Sequence, residues 1–470
     1  MPLPLIRFPS WMLLLAIFLA GPGQCVANGV GTTEWDKLLS TLGNFTTRGG
    51  GPFAGGGNPN EWSVAMEGGP ALTAELSEPH MAMDDIYGNI YIADKNAHAI
   101  RKIKPDGTIV TVAGRHVLFS PNHGSFDGDG IATQKALSYP NGLFVFPDGT
   151  FYFLEIGDIS TLGRIRKVDR SGMMTTLLTD NGGNFQRGLW VSPDETCLYF
   201  CTTNRLKRWN AATPGTVITL VDLSGTLNAD LSNIDVAQNG NIYVTDRGLH
   251  RVYSVPANSL NLTAPATIAG TGAFDASATN NGDLLLLGRD NVSATTIPFT
   301  EPRGIAFHPL GGYFLACHKG GDIYYIDSAN ITHVVIQGGS TGGTQTGEGL
   351  PVTTGRNTLK IAEPRSVRVG WHGDLIICTN DNGFVRVVPS ICPVPKVLPQ
   401  MNPQRQLSWN ALDGMAYFAE KSTTLADQSW TTILRRYPVA NGPQTYTDPT
   451  PLSLQPRSFY RVFEHRKWPF

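Results

Sequence analysis

The repeated phrase Gly-Asn-Ile-Tyr-Ile-Ala-Asp at residues 88–94 decides the fold. Close copies are Gly-Thr-Phe-Tyr-Phe-Leu-Glu at 149–155 and Gly-Asn-Ile-Tyr-Val-Thr-Asp at 240–246. Weaker copies in the same phase lie at 198–202, 314–318 and 375–379. Because a phrase that recurs at intervals of tens of residues is the signature of a repeat architecture, the sequence predicts six related units.

Each unit has the same order of short segments around the phrase. An apolar segment, led by Pro in most units, comes first; a turn ending in Gly, the phrase itself and two further segments follow, as at residues 79–113. β-branched and aromatic residues dominate, turns recur every 8 to 12 residues or so, and no long helical period is present. Six four-stranded units in sequence predict an all-β protein with a six-bladed β-propeller.

The sixth unit lacks a fourth strand, because Pro389 and Pro393 follow its third strand and Pro cannot continue a central strand. The segment 51–57, Gly-Pro-Phe-Ala-Gly-Gly-Gly, is similar to the ends of the fourth strands. We therefore predict that residues near 45–56 pair with the sixth unit and close the ring, which also covers its open edges.

Composition limits the class of protein. The 470 residues include 52 Gly and 32 Pro, and only 16% are charged, against roughly 25% in an average soluble protein. Hydrophobic residues at 41% supply a core and exclude a disordered or collagen-like chain. A formal net charge of -2 provides no general attraction for nucleic acid or an anionic membrane, so neither is an expected partner.

The N-terminus has the pattern of a signal peptide over residues 1–27. Arg7 precedes an apolar run at 11–20 that is too short to span a bilayer, and Cys25 and Ala27 suit cleavage after Ala27. This predicts a secreted protein, extracellular or periplasmic, without a transmembrane segment; a lipid anchor on Cys25 is the alternative. Five cysteines would then remain, an odd and thinly spread set that argues against a disulfide scaffold.

The segment Met-Glu-Gly-Gly-Pro-Ala-Leu-Thr at 66–73, which leads to the first phrase, belongs to a wider pattern. With Ala-Ile-Arg-Lys-Ile at 99–103 and Thr-Val-Ala-Gly at 111–114, it closely resembles NHL-repeat propellers, and residues 127–140 repeat its start. The resemblance covers about residues 45–390 and implies that residues 28–392 form the propeller. The pair Asp127 and Asp129 then reads as a loop signature of the family, and calcium binding is the alternative.

A smaller domain is predicted after the propeller. The Pro-rich stretch 393–403 reads as a linker, and residues 404–470 alternate apolar and polar residues like strands of a β-sandwich. The order of Trp409, Tyr417, Trp430 and Phe-Tyr-Arg-Val at 459–462 is similar to small fibronectin-like modules of secreted bacterial proteins. The resemblance implies an attachment or spacer module.

Propellers gather ligands at one mouth of the central channel, so the second residue of each inner strand is the candidate binding position. In unit order these residues are His80, Asn141, Arg187, Ser232, Arg303 and Arg365. In a closed ring Arg303, Arg365 and His80 would form one basic arc with Arg187 opposite. Guanidinium groups in this place can bind a carboxylate, sulfate or phosphate, or can instead satisfy groups of neighbouring blades.

The same positions weigh against metal-dependent catalysis. Secreted NHL propellers with lyase activity resemble this chain but carry Pro-His in several units, whereas it has only Pro79-His80, and a catalytic zinc needs about three protein ligands. His98, His250 and His318 are expected in turns at the other end of the strands or on different columns. No metal or cofactor is expected.

The resulting hypothesis is a secreted, non-enzymatic protein whose propeller face recognises a protein or a glycan. A hydrolase or lyase acting at the channel mouth is the alternative. The sequence does not predict the oligomeric state.

Overall fold

The computed structural model describes the chain in segments. They comprise residues 33–50, 62, 66–115, 127–156, 163–180, 185–237, 239–278, 284–308, 311–338, 346–355, 358–371, 373–379 and 383–389, then 400–401, 406–411, 415–423, 431–436, 442–449 and 459–466. The predicted signal peptide at 1–27 and the Gly-rich segment 51–57 lie outside these residues, as does most of the predicted linker 393–403.

The first three blades are antiparallel sheets with strands in chain order. Blade 1 contains Pro79–Asp84, Ile90–Asp94, Ala99–Ile103 and Ile109–Ala113. Blade 2 contains Pro140–Val145, Phe151–Glu155, Gly163–Val168 and Met173–Asp180, with the short Gly130–Ile131 at its outer edge. Blade 3 contains Phe185–Val191, Cys197–Thr202, Arg205–Asn210 and Val217–Asp222.

The other three blades repeat this order. Blade 4 contains Leu231–Val236, Ile242–Asp246, Arg251–Val255 and Ala266–Ala269. Blade 5 contains Pro302–Phe307, Tyr313–Cys317, Asp322–Ile326 and Ile331–Gly338, flanked by Val292–Ser293 and Lys360–Ile361. Blade 6 contains Pro364–Val369, Leu375–Thr379 and Phe384–Val388.

The six blades form a closed ring. The inner strand of each blade contacts the inner strands of the next and previous blades, and blade 6 contacts blade 1. Side chains join neighbouring blades: Phe307 N donates to Asp235 Oδ2 at 2.8 Å, and Trp371 N donates to Asp84 Oδ1 at 2.7 Å. The chain is therefore an all-β, six-bladed β-propeller, as the repeats predict.

The closing strand comes from the N-terminal part of the chain. Thr46–Gly49 pairs antiparallel with Phe384–Val388 and becomes the fourth strand of blade 6. Before it, the helix Glu34–Leu39 places Trp35 on the ring of His333, with centroids 4.9 Å apart. The predicted closure is thus confirmed for residues 46–49.

The phrase forms the second strand of each blade. All five residues of Ile90–Asp94 and of Phe151–Glu155 are buried, because both faces of a blade pack against neighbours; this explains the continuous apolar runs. The leading glycines Gly88 and Gly149 have φ of 80° and 85°, a left-handed conformation that a residue without Cβ adopts at little cost.

The acidic loops before the inner strands hold the outer strands. Glu67 accepts from both the N–H and the hydroxyl of Thr111, at 2.8 Å each, and Asp129 does the same with Thr176 at 2.8 Å each. Asp129 therefore occupies the structural position of Glu67, which gives the carboxylate a role without calcium.

Short helices connect or cap these strands. They are the α-helix Val352–Gly355 and the 3₁₀ turns Ala71–Thr73, Ala132–Gln134, Ala276–Ala278 and Ala294–Thr296. No helix in the described part of the chain combines the length and hydrophobicity that crossing a membrane requires.

Contacts divide the chain into two compact units, and residues 393–467 belong to the one that does not contain the propeller. It has two three-stranded antiparallel sheets: Gln400–Met401, Gln406–Ala411 and Gly442–Thr447, then Thr431–Arg436, Met415–Ser422 and Phe459–Arg466. Leu407 and Trp409 of one sheet share a buried cluster with Tyr417, Tyr460 and Val462 of the other.

Candidate functional site

All six candidate residues lie at β-bulges. In each blade the pairing of the first strand with the second shifts register around the candidate position, for example between Pro79 and Met81 and between Pro302 and Gly304. A bulge leaves the extra residue out of the ladder and redirects its side chain. The candidate residue of every blade thus has the same bulged backbone setting. All six lie at the end of the channel where the inner strands begin, and we call this end the mouth.

Four of the candidate residues are in direct contact. His80 Nδ1 meets Asn141 Oδ1 in a short hydrogen bond and lies 3.4 Å from Arg187 Nη2, and Arg187 Nη1 donates to Ser232 Oγ at 3.3 Å. Their exposed fractions are 4% or less. This cluster joins blades 1 to 4 across the mouth.

Arg303 and Arg365 are held by acids. Arg303 Nη2 donates to Glu301 Oε2 at 2.8 Å, and Arg365 Nη2 lies 3.7 Å from Glu363 Oε2. His318 lies between these acids, with Nδ1 3.4 Å from Glu301 and Nε2 3.0 Å from Glu363. The sequence predicts an uninterrupted basic arc. In the structure, acidic and basic side chains alternate across blades 5 and 6.

The position of His318 corrects the sequence expectation. The sequence predicts His98, His250 and His318 in turns at the other end of the strands or on different columns, but His318 lies at the mouth, buried beside its acids. His98 also lies near this end, since its Nδ1 accepts from Tyr139 N at 3.1 Å. The reason is topological: in an antiparallel blade the turn between the second and third strands lies beside the start of the first.

The acids belong to a ring that the sequence reading missed. Two residues before each candidate residue stand, in blade order, Glu78, Tyr139, Phe185, Asp230, Glu301 and Glu363. Glu78, Tyr139, Glu301 and Glu363 each precede Pro and have φ between 40° and 58°. A non-Gly residue in this left-handed region costs free energy, and such residues cluster at functional sites. The repeated Glu-Pro dipeptide in units 1, 5 and 6 is the signal that could have revealed them.

The ring of acids is incomplete on one side. Glu78 pairs with Lys95 at 3.1 Å, Asp230 with Arg247, and Glu363 with Lys319 at 3.1 Å, so cations near blades 4, 5, 6 and 1 have counter-charges. In blades 2 and 3 the equivalent positions hold Tyr139 and Phe185. On the side of the mouth formed by blades 2 and 3, the ring therefore supplies no carboxylate to pair with a cation.

Arg187 is buried at the mouth without an ion-pair partner among the described residues. Among the described residues no carboxylate pairs with its guanidinium, which contacts only Ser232 and His80, and its Nε has no hydrogen-bond partner. Burial, followed by the charges of Arg303, Arg365 and Arg247, lowers the pKa of Arg187 well below its usual value, and the charge of Asp230 offsets only part of this. A buried, unpaired guanidinium is costly, and an anion would relieve that cost.

Two histidines of the mouth, His80 and His318, are neutral at pH 7. Burial lowers the pKa of His80 well below 6.5, and the charge of Arg187 acts in the same direction. Burial also lowers the pKa of His318 to about 4. Burial alone would raise the pKa of Glu301, but the nearby His318 ring and the hydrogen bond from Arg303 outweigh it and bring that pKa to about 2. The positive charge of the mouth therefore comes from Arg and Lys.

No group of three His, Cys, Asp or Glu side chains in the described segments is arranged to hold a metal ion. Cys197, Cys201, Cys317 and Cys378 are free thiols, and the last three are buried.

The fold defines the chain as a six-bladed β-propeller, and solved structures of known proteins share it. No family model matches it. Teneurin-m of Drosophila melanogaster is 28% identical over 119 residues, which is 24% of this chain; the match spans 4% of the relative's length.

Two solved structures from Bacteroides thetaiotaomicron share the fold. A protein of unknown function has a TM-score of 0.54 and 15% identity and covers 74% of this chain and 75% of its own. An auxiliary nutrient binding protein has a TM-score of 0.52 and 14% identity, with coverage of 73% and 75%. At this identity the likeness shows the fold alone.

Proposed function

We propose that this is a secreted, non-enzymatic binding protein whose propeller mouth takes an anionic group, a carboxylate, sulfate or phosphate, of a protein or glycan ligand. One observation carries the proposal: Arg187 is buried, has no acidic partner among the described residues, and keeps an unpaired Nε–H. A guanidinium binds such oxyanions through paired, charge-assisted hydrogen bonds.

The neighbours of Arg187 suit this role. Asn141, Ser232 and neutral His80 are polar groups without negative charge, so they add hydrogen-bonding capacity without repelling an anion. The residues are placed by strand bulges, which favours a site that is formed before the ligand arrives. A binding role also agrees with the presence of this fold in an auxiliary nutrient binding protein.

In this proposal the remaining parts of the chain serve delivery and placement. Residues 1–27 direct export, the propeller extends over residues 28–392, and a fibronectin-like β-sandwich at 404–470 follows the linker 393–403. The two sheets that share a buried cluster in this last part support the sandwich. Its role is attachment or spacing.

The test is calorimetric titration of the full chain with sodium sulfate, sodium phosphate and sodium acetate at constant ionic strength. Arg187→Gln removes the charge but retains a donor for Ser232, and we expect it to weaken binding of the preferred anion by about tenfold or more. Arg170→Gln, at an exposed turn of blade 2, is the matched control and should bind like the wild type. Failure of the wild type to bind any of the three anions, or equal binding by Arg187→Gln, would contradict the proposal.

A further inference from the structure

Below the mouth, an arginine from blade 6 crosses the channel. Arg368 lies on the inner strand Pro364–Val369, three residues after Arg365, and is 3% exposed. Its Nη1 donates to Ile234 O at 3.3 Å, and its Nη2 lies 3.4 Å from both Leu189 O and Asn233 Oδ1. The acceptors belong to the inner strands of blades 3 and 4, and blade 3 is opposite blade 6 in the ring.

A second contact crosses the channel beside it. Asn233 Nδ2 of blade 4 lies 3.6 Å from Met81 Sδ of blade 1, the blade opposite. Both Asn233 and Met81 are buried. Side chains from blades 1, 4 and 6 thus meet across the channel beneath the candidate residues.

The acceptors of Arg368 adjoin the residues of the proposed site. Leu189 follows Arg187 by two positions on the same strand, and Asn233 follows Ser232 directly. The guanidinium of Arg368 therefore ties together the two strands that carry Arg187 and Ser232, whose own contact is 3.3 Å. These strands are bulged at this level and have fewer ladder hydrogen bonds to hold them.

Two opposing influences act on the charge of Arg368, its burial and the nearby carboxylate of Asp235. Burial lowers its pKa, and the carboxylate of Asp235 on blade 4 acts in the opposite direction. Asp235 in turn accepts from Phe307 N on blade 5. Contacts of Arg368 and Asp235 thus link inner strands of blades 3 to 6 without touching the group that would bind at the mouth.

We propose that Arg368 is the positioning residue of the mouth: it crosses the channel and holds the strands of Arg187 and Ser232 at the spacing that binds an anion. This inference rests on the proposed function. A planar guanidinium can donate to acceptors on two strands at once, whereas an ammonium is a single point of charge on a flexible chain. Loss of Arg368 would leave the carbonyls of Leu189 and Ile234 without this donor and allow the two strands to move apart.

The experiment is titration of the full chain with the anion that the wild type prefers among sulfate, phosphate and acetate. Arg368→Met keeps the length of the side chain and removes its donors, and we expect about tenfold weaker binding. Arg368→Lys should lie between the wild type and Arg368→Met. Thermal unfolding of each variant is recorded in parallel.

Arg386→Met is the matched control. Arg386 is also a buried arginine of blade 6, but it contacts Thr47 of the closing strand and Glu348 of a turn. We expect this variant to lower the unfolding temperature and leave anion affinity unchanged. A residue that merely stabilised the fold would behave in the same way at position 368.

The possible results separate the two proposals. If Arg187→Gln loses binding while Arg368→Met binds like the wild type, the positioning role is overturned and the anion site stands. If Arg368→Met does not fold, Arg368→Lys decides, and wild-type affinity in that variant overturns the role. If the wild type binds none of the three anions, both proposals fail.

Discussion

At the scale of single residues, the acids that end the repeated phrase have a structural task. Asp94, Glu155 and Asp246 each accept a hydrogen bond from a backbone N–H in the loop that leads into the inner strand of their own blade. The donors are Ser77 N at 2.5 Å, Ser138 N at 2.8 Å and Asp230 N at 3.0 Å. The same acids therefore fix the loops from which the mouth is built.

Glu155 tests this role, because Arg166 pairs with it at 3.0 Å and both side chains are fully buried. Glu155→Gln keeps the shape and an acceptor for Ser138 but removes the nearer and fully buried of the two carboxylates beside Arg166; the other, Asp129 at 3.6 Å, is half exposed. We expect a loss of about 3 kcal/mol in the free energy of unfolding, measured by urea denaturation.

The control for Glu155 is the partly exposed pair of Arg205 and Asp222, also 3.0 Å apart. Asp222→Asn should cost at most about 1 kcal/mol, because solvent screens such a pair. Equal losses in the two variants would show that burial of the Glu155 pair has no special effect.

At the scale of elements, blade 6 depends on a strand from the other end of the chain. Thr47 repeats the arrangement of Thr111 and Thr176: its N–H and its hydroxyl both donate to one carboxylate, here Glu348, at 2.7 Å each. In the closing strand, Thr47 lies opposite Arg386 of the third strand of blade 6. Closure of the ring thus uses the same acid and threonine device as the other blades.

Thr47→Pro removes the N–H that donates to Glu348 and is expected to loosen the closing strand. Hydrogen exchange should show faster exchange of the amides of Phe384–Val388, and the unfolding temperature should fall. Thr47→Val is the control: it keeps the N–H and the strand preference and loses only the hydroxyl, at a cost of about 1 kcal/mol. If the exchange rates were unchanged in Thr47→Pro, the closing strand would not stabilise blade 6 in the way proposed.

At the scale of the whole molecule, buried titratable groups make stability depend on pH. Burial raises the pKa of Asp85 from 3.8 to about 6, in a loop where Tyr87 N, Asn89 N and the Tyr91 hydroxyl surround the carboxylate. Between these two values the folded state holds a proton that the unfolded state has lost. Asp85 therefore adds stability as the pH falls through 6, and that stability is lost as the pH rises.

The size of this effect follows from about 1.4 kcal/mol per pKa unit. From pH 7.5 to pH 5, the free energy of unfolding of the wild type should rise by about 1.4 kcal/mol relative to that of Asp85→Asn. His318 has the opposite effect: its pKa of about 4 is below that of an unfolded histidine, so it lowers the free energy of unfolding as the pH falls. This contribution is the same in the wild type and in Asp85→Asn, and it cancels from the difference. A constant difference between the two proteins across this range would contradict the raised pKa of Asp85.

The candidate site was predictable only in part. The column from His80 to Arg365 follows from the phase of the repeats, and the structure places each member at a bulge of its inner strand. The contact of His318 with Glu363 of the next blade and the lack of an ion pair for Arg187 depend on how loops of neighbouring blades meet, which the spacing of residues along the chain does not encode. Arg368 was missed because an arginine between two valines looks like an exposed strand position.

The sequence by itself determined the all-β class, the six blades and the use of an N-terminal strand for closure. These features follow from local signals: apolar runs of strand length, glycines where φ must be positive, and prolines that end or begin strands. Only the tertiary structure decided which charges neutralise each other and which side chains meet across the channel. Electrostatic and hydrogen-bond energies depend on distance and burial in space, so residues 107 and 179 positions apart, His80 with Arg187 and Leu189 with Arg368, set the character of the mouth.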